Sequence, residues 1–285
     1  MFKKKITYVI IIIALIIPPL GYSFFYPWNI KFLDEVRLIF QSKIIITAGD
    51  YTTDDLLLNI KSHNKESMNA LTIYELNKYT DMLNPWDIFF TESEKYISSK
   101  FIPGEWKHSI IYLWTEKQIK KLFKDEPEIL NIFKWYFKNG NEKLIIDSNS
   151  DGVDIRNFSE ISNLNNISLL ISISWFKIKK DKKTIKNFIK YWLSQIWKEY
   201  DFDRITDDSS TLYCSELIYK WLKKTNIEIN IKNYTANREI ISPTNIVEYI
   251  TKFWIDKKEF ELIFFIKKEN WKIIEKEIND FQFKN

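Results

Sequence analysis

Leu212-Tyr213-Cys214-Ser215-Glu216-Leu217-Ile218-Tyr219 is the stretch on which the reading of this chain turns. From position 215 to 223 the apolar residues recur at helical spacing, so Cys214 stands at or just before a helix N-terminus. The first N–H groups of a helix lack partners within it and carry partial positive charge. A thiol placed there has its thiolate favoured and its pKa lowered. The same N–H groups can hold the oxyanion that forms when a carbonyl is attacked, with Tyr213 and Ser215 as the neighbouring substrate or oxyanion candidates. The ordinary alternative is a cysteine buried as a small apolar residue.

A nucleophile needs a base, and the chain has only two histidines, His63 and His108. His63 lies in the polar run Lys61-Ser62-His63-Asn64-Lys65-Glu66, with nothing rigid to orient it. His108 follows the turn signal Pro103-Gly104 and opens an apolar strand expected over 106–114, where a scaffold can aim it. A base of this kind works best when a third polar group fixes its ring. Asp147, at the end of a strand expected over 144–147, is the candidate, with Ser148 and Glu105 as alternatives.

Further out, the pattern predicts strands over 86–90, 152–155, 168–175 and 260–266. Helical spacing falls at 33–40, at 68–82, over 115–138 with a break near Pro127, over 181–199, and from Ser242-Pro243-Thr244 onward. The charged tail from Lys267 reads as frayed helix. Interleaved strands and helices without repeats indicate one α+β domain over 84–285, preceded by a lead-in or stalk at 29–83.

The residues that carry chemistry also carry a resemblance. Trp86-Asp87-Ile88-Phe89-Phe90-Thr91, Pro103-Gly104-Glu105-Trp106-Lys107-His108-Ser109-Ile110-Ile111-Tyr112, Ile146-Asp147 with Gly152-Val153, and Leu212 to Tyr219 occur in that order. The set resembles the circularly permuted papain-fold cysteine hydrolases of the NlpC superfamily, in the branch typified by YiiX and YaeF. There the histidine strand precedes the cysteine helix, the reverse of papain. The resemblance spans roughly 84–266 and implies a small antiparallel sheet packed against the cysteine-bearing helix. It further implies hydrolysis of an amide or ester through an acyl-enzyme, with Cys214 and His108 catalytic and no metal or organic cofactor; the family's third catalytic group is commonly Glu or another polar residue, and Asp147 is assigned to that role from the residues themselves. Substrates implied are cell-wall peptides or lipids. Where the family carries Gly before the Asp of the first strand, this chain has Trp86, which leaves the backbone there open. Tyr200-Asp201-Phe202-Asp203 resembles a family element ahead of the cysteine helix, and reads equally as a structural turn.

Composition bounds the alternatives. The 285 residues are 45% hydrophobic and 28% charged, enough apolar material for a sizeable core. Lys+Arg 42 against Asp+Glu 38 leaves a net charge of only +4, and arginine occurs only at 37, 156, 204 and 238, so nucleic acid is not an expected partner. One cysteine excludes an internal disulfide, and two histidines argue against an ordinary zinc centre. Lys3, Lys4 and Lys5 precede an uncharged stretch at 6–28, long enough to span a bilayer as a helix. Pro18-Pro19 and Gly21-Tyr22-Ser23 make a cleaved signal peptide the alternative to a permanent anchor. Either way the body is expected on the extracytoplasmic side, tethered to the membrane or released. The expected activity is that of a cysteine amidase or peptidase. An acyltransferase using the same site and an inactive membrane-tethered binding module are the competing readings.

Overall fold

The computed structural model describes residues 70–92, 102–163, 169–175, 182–201, 210–230, 233–235, 238–253 and 260–277, with separate positions at 18, 32–33, 36–37, 39–40, 43 and 280. Among the described residues no helix is long and apolar enough to cross a membrane, and apart from Pro18 the apolar stretch at 6–28 lies outside them.

The strands are β1 (Ile88–Glu92), β2 (His108–Thr115), β3 (Lys143–Asn149), β4 (Gly152–Asn157), β5 (Leu169–Trp175), β6 (Asn233–Thr235), β7 (Arg238–Ile240), β8 (Phe260–Glu269) and β9 (Lys272–Glu275). The helices are α1 (Ile73–Asn77), α2 (Glu116–Leu122), α3 (Pro127–Lys134), α4 (Ser159–Asn163), α5 (Lys182–Leu193), α6 (Cys214–Lys224) and α7 (Pro243–Phe253). Among the described residues seven strands form one antiparallel sheet in the order β4-β3-β2-β1-β5-β8-β9, while β6 and β7 pair separately. Such a sheet can cover both faces, and here each has its own core. One unites Ile111, Leu113, Leu144 and Ile146 of the sheet with α5, α6 and α7. Phe188 of α5 meets Trp221 of α6 edge-on, with ring centroids 4.3 Å apart. The other gathers Leu76, Phe89, Tyr112, Ile145, Phe158 and Phe264.

Several boundaries differ from the sequence reading, each for a local reason. The helix expected over 181–199 ends at Leu193, because the chain then turns along the exposed edge of β4. Trp197, at φ +72°, donates to Val153 O, and Val153 N donates to Lys198 O, both at 2.9 Å. That strap occupies hydrogen-bonding groups an edge strand would otherwise present. It also fixes Gly152: at φ +91°, a Cβ there would stand 2.4 Å from Lys198 O. The tail from Lys267 is strand rather than frayed helix. β8 runs to Glu269 and returns as β9 through Asn270-Trp271, both at positive φ, the pattern of a type I′ hairpin turn. The helical stretch at 68–82 contracts, among the described residues, to α1 and a 3-10 turn at Thr80–Met82. α1 opens with a capping box between Thr72 and Glu75, and Leu71, Leu76 and Leu83 are buried in the second core. Described positions between 32 and 43 are helical, and His63 lies outside the described residues.

Candidate active site

Cys214 is the first residue of α6, behind Tyr213 in extended conformation at the N-cap. The eleven-residue helix presents one face to the core through Leu217, Ile218, Trp221 and Leu222. Three hydroxyls fix its start. Ser148 Oγ donates to Leu212 O at 2.5 Å, Ser215 Oγ donates to Ile241 O at 2.6 Å, and Tyr213 Oη accepts from Ile241 N at 3.2 Å. The cysteine is thereby clamped between β3 and the chain leading into α7. Ser148, an alternative third group in the sequence reading, is spent on this clamp. The Ser215 proton is committed to Ile241 O, whereas Tyr213 only accepts from Ile241 N, a bond that does not use its own proton.

His108 reaches this cysteine from the first position of β2. Its Nε2 lies 2.8 Å from Asp147 Oδ2, so the ring nitrogen left for the Cys214 sulfur is Nδ1. The sheet register explains the pairing. Ile111 of β2 pairs with Ile146 of β3, which offsets His108 and Asp147 diagonally by two residues on adjacent strands. Diagonal neighbours of this kind lie within reach of long side chains. Arg156 approaches Asp147 from the other side. Asp147 pairs with Asp154 of β4, and Arg156, two residues further, again reaches across diagonally to ion-pair with Asp147 Oδ1. Its Nη2 also donates to Asn149 Oδ1 at 2.8 Å. The carboxylate is therefore held by one oxygen on the imidazole and the other on the guanidinium. Glu105, the remaining alternative, is exposed.

The charges reinforce one another. Burial alone would push the thiol up, but the facing His108 and the backbone N–H of Ser109 bring Cys214 below its ordinary value. Burial would lower the imidazole, yet the sulfur and Asp147 together raise it to about 10. Asp147 would be raised by burial, and its bonds to His108 and Arg156 bring it below the usual carboxylate range instead. Each partner thus favours the ionised form of the other, the direction that suits a sulfur nucleophile. Cys214 is only 3% exposed, and its opening is a cleft of about 260 Å³, including the space open to solvent. Ile102, Pro103, Tyr200, Ile240, Ile241 and Pro243 are among its walls.

Sequence reasoning missed two participants. Arg156 figured there only as one of few arginines; its signal was the alternation Asp154-Ile155-Arg156 after a tight hairpin, legible once the β3–β4 register is known. Ser109, next to the base, had no role assigned to it from the sequence, because its bond to the sulfur depends on where α6 packs against β2. Of the Tyr200-Asp201-Phe202-Asp203 element, Tyr200 lines the cleft and Asp201 is buried, while 202 and 203 lie outside the described residues.

With this geometry in view, comparison with known families is decisive. A family model described as permuted papain-like amidase enzyme, YaeF/YiiX, C92 family, matches residues 82–260, which contain every residue of the site. The chain belongs to this amidase family. It is accordingly a cysteine hydrolase by family, with the histidine strand ahead of the cysteine helix. Among solved structures it is similar to metalloprotein yiiX from Escherichia coli O157:H7, at 10% identity and a TM-score of 0.43, over 66% of this chain and 98% of that one. No curated protein matches. The amidase keeps an unusual residue at the end of the β1–β2 pair away from His108. Trp86 has φ +71°, the left-handed region in which glycine is at ease, so the backbone adopts there the conformation a glycine would favour. The indole is buried edge-on against Trp114, with centroids 5.5 Å apart, and that packing offsets the strain of holding a bulky residue there.

Proposed function

We propose that this amidase works outside the cytoplasm, cleaving an amide or ester bond of cell-wall peptides or lipids through an acyl-enzyme. Cys214 is the nucleophile, His108 the acid–base group and Asp147 the group that orients the ring. The Cys214 thiolate attacks the acyl carbon, and the S–C bond forms as the carbonyl electrons move to oxygen. Backbone N–H groups at the start of α6 receive that charge. Collapse of the intermediate breaks the bond to the leaving group, which takes its proton from His108 Nδ1. His108 then removes a proton from water, the hydroxide attacks the thioester, and the thiolate is regenerated. Asp147 keeps the Nε2–H bond throughout, so that Nδ1 stays aimed at the sulfur.

The observation that carries this reading is the unbroken line of contact from Cys214 through His108 to Asp147 at the mouth of a cleft. The extracytoplasmic placement is supported by the three lysines ahead of the uncharged stretch at 6–28. Two variants test the chemistry. Cys214→Ala and His108→Ala should each lower turnover of an acyl amide by roughly 10⁴-fold, with circular dichroism unchanged. Wild-type turnover in the double variant would overturn the assignment. For location, a C-terminal tag open to protease in spheroplasts is expected, and full protection would refute export.

A further inference from the structure

The two most exposed large apolar side chains among the described residues are tryptophans beside one edge strand. Trp135, 84% exposed, directly follows α3, and its neighbour Tyr136 donates from the hydroxyl to Asp154 Oδ1 of β4 at 2.8 Å. Trp197, 81% exposed, donates its backbone N–H to the carbonyl of Val153, the preceding residue of β4. Trp197 also stands at φ +72°, where glycine or asparagine is at ease and an exposed indole gains no packing to offset the strain. Burial in a core therefore explains neither ring.

The surface around them is strongly basic. Segments 116–140 and 182–198 carry eleven lysines and four carboxylates, a net +7, whereas the whole chain is only +4. These segments form one lobe, because Glu126 ahead of α3 is ion-paired with both Lys186 and Lys190 of α5. Glu116 is likewise taken by Lys120. Lys117, Lys121, Lys124, Lys134 and Lys138 are exposed and have no ion pair among the described residues. Ile132, three residues before Trp135, is exposed as well, while Ile129 and Leu130 pack inward. The opposite edge of the sheet lacks this combination. There Trp271 sits in 267–277 among four lysines and three glutamates, and Lys268 lies over its ring at 5.6 Å. Exposed indoles among lysines without counter-ions are complementary to an anionic bilayer surface. The rings leave water at headgroup level, and the ammonium groups meet lipid phosphates.

We infer that this lobe is a membrane-docking face, distinct from the stretch at 6–28, which lays the β4 edge on anionic phospholipid with Trp135 and Trp197 at headgroup level. The inference goes beyond the hydrolase reading and holds whether or not Cys214 reacts. Tyr200, three residues after Trp197, is a wall of the Cys214 cleft, so docking holds that cleft close to the bilayer.

Lysine acylation by N-hydroxysuccinimidyl acetate, read by peptide mass spectrometry, tests the face on the full-length protein without calling on its activity. The protein is bound to phosphatidylcholine vesicles with or without phosphatidylglycerol. The stretch at 6–28 is common to both samples, so a difference between them reports the lobe. Lys134 and Lys138 should be acylated roughly fivefold more slowly when phosphatidylglycerol is present, with Lys272 at the far edge unchanged. Equal rates in the two lipids, or equal slowing at Lys272, would overturn the docking face. Trp135→Ser combined with Trp197→Gly, the latter suited to the left-handed backbone, should abolish the slowing with circular dichroism unchanged. Full slowing in that folded double variant would refute a role for the indoles and the proposal with it. Soluble polyglutamate supplies negative charge without a bilayer and should protect these lysines more weakly, to the same extent in wild type and double variant. Protection by polyglutamate as strong as by the vesicles would refute lipid as the partner.

Discussion

Two buried ion pairs in this protein have similar burial and opposite character. Lys268 of β8, 3% exposed, donates from Nζ to Ala70 O at 2.7 Å and Glu75 Oε2 at 2.9 Å. Glu75 Oε2 in turn accepts from Thr72 N and Thr72 Oγ1, so this cluster ends in backbone and a helix cap. Asp147, 7% exposed, joins Arg156 on one side and His108 on the other, and that second arm continues to a sulfur at a cleft. The first cluster is closed and fastens 70–77 to the sheet. The second is open at one end, and the open end is the sulfur to which the proposed reaction is assigned. A buried charge contributes little to stability by itself; what separates these two is whether the chain of hydrogen bonds terminates in the scaffold or in a reactive atom.

Cutting the open cluster at its centre should have the largest effect. Asp147→Asn keeps the shape but removes the charge, and kcat should fall by about 10²- to 10⁴-fold as the ring loses its orientation. The thiolate should weaken as well, read as an upward shift in the pH profile of Cys214 alkylation. An unchanged profile would place the carboxylate outside the site. One bond further from the sulfur, Arg156→Met should lower kcat by about tenfold and leave KM nearly unchanged, because the guanidinium acts only through Asp147. If KM rises while kcat holds, Arg156 binds substrate instead.

The closed cluster should respond in the opposite sense. Lys268→Met strands the Glu75 carboxylate and should destabilise the fold by about 3 kcal/mol in urea titration, with kcat unchanged at permissive temperature. Lost activity in a folded variant would erase the contrast between the clusters. The smallest effect concerns Glu216, the fourth residue after Leu212 in the decisive stretch. Burial, opposed by Lys220 and reinforced by Asp201, raises its pKa to about 8. The folded state thus holds this proton more tightly than the unfolded chain, so stability contributed at low pH is lost as pH rises from its unfolded value through about 8. Glu216→Gln should flatten the thermal midpoint over that window. A midpoint that falls as steeply as in wild type would show that another group carries the dependence.

Much of the site was legible before any coordinates, because its signals are local. Cys214 at the head of a helical run, His108 behind a Pro-Gly turn and Asp147 at a strand end each declare themselves within a few residues. Arg156 did not, since its role depends on strand register across a hairpin. The fold shows the same division. Helix α6 and strand β3 lie close to where periodicity put them, whereas α5 stops six residues before the expected end because the edge of β4 takes up the chain. The hairpin at β8–β9 was hidden because lysine-rich sequence reads as solvated helix until a partner strand is present.

The amino-acid order by itself determined which groups exist to react: a lone sulfhydryl with helical sequence behind it, one well-placed imidazole, and an apolar majority that forces a core. Tertiary structure decided which of them meet. A contact between strands depends on register, and register is set by how whole faces bury together rather than by any short stretch. Asp147 thus acquires both its partners from neighbouring strands, and Cys214 acquires a cleft whose walls come from residues more than a hundred positions apart in the chain.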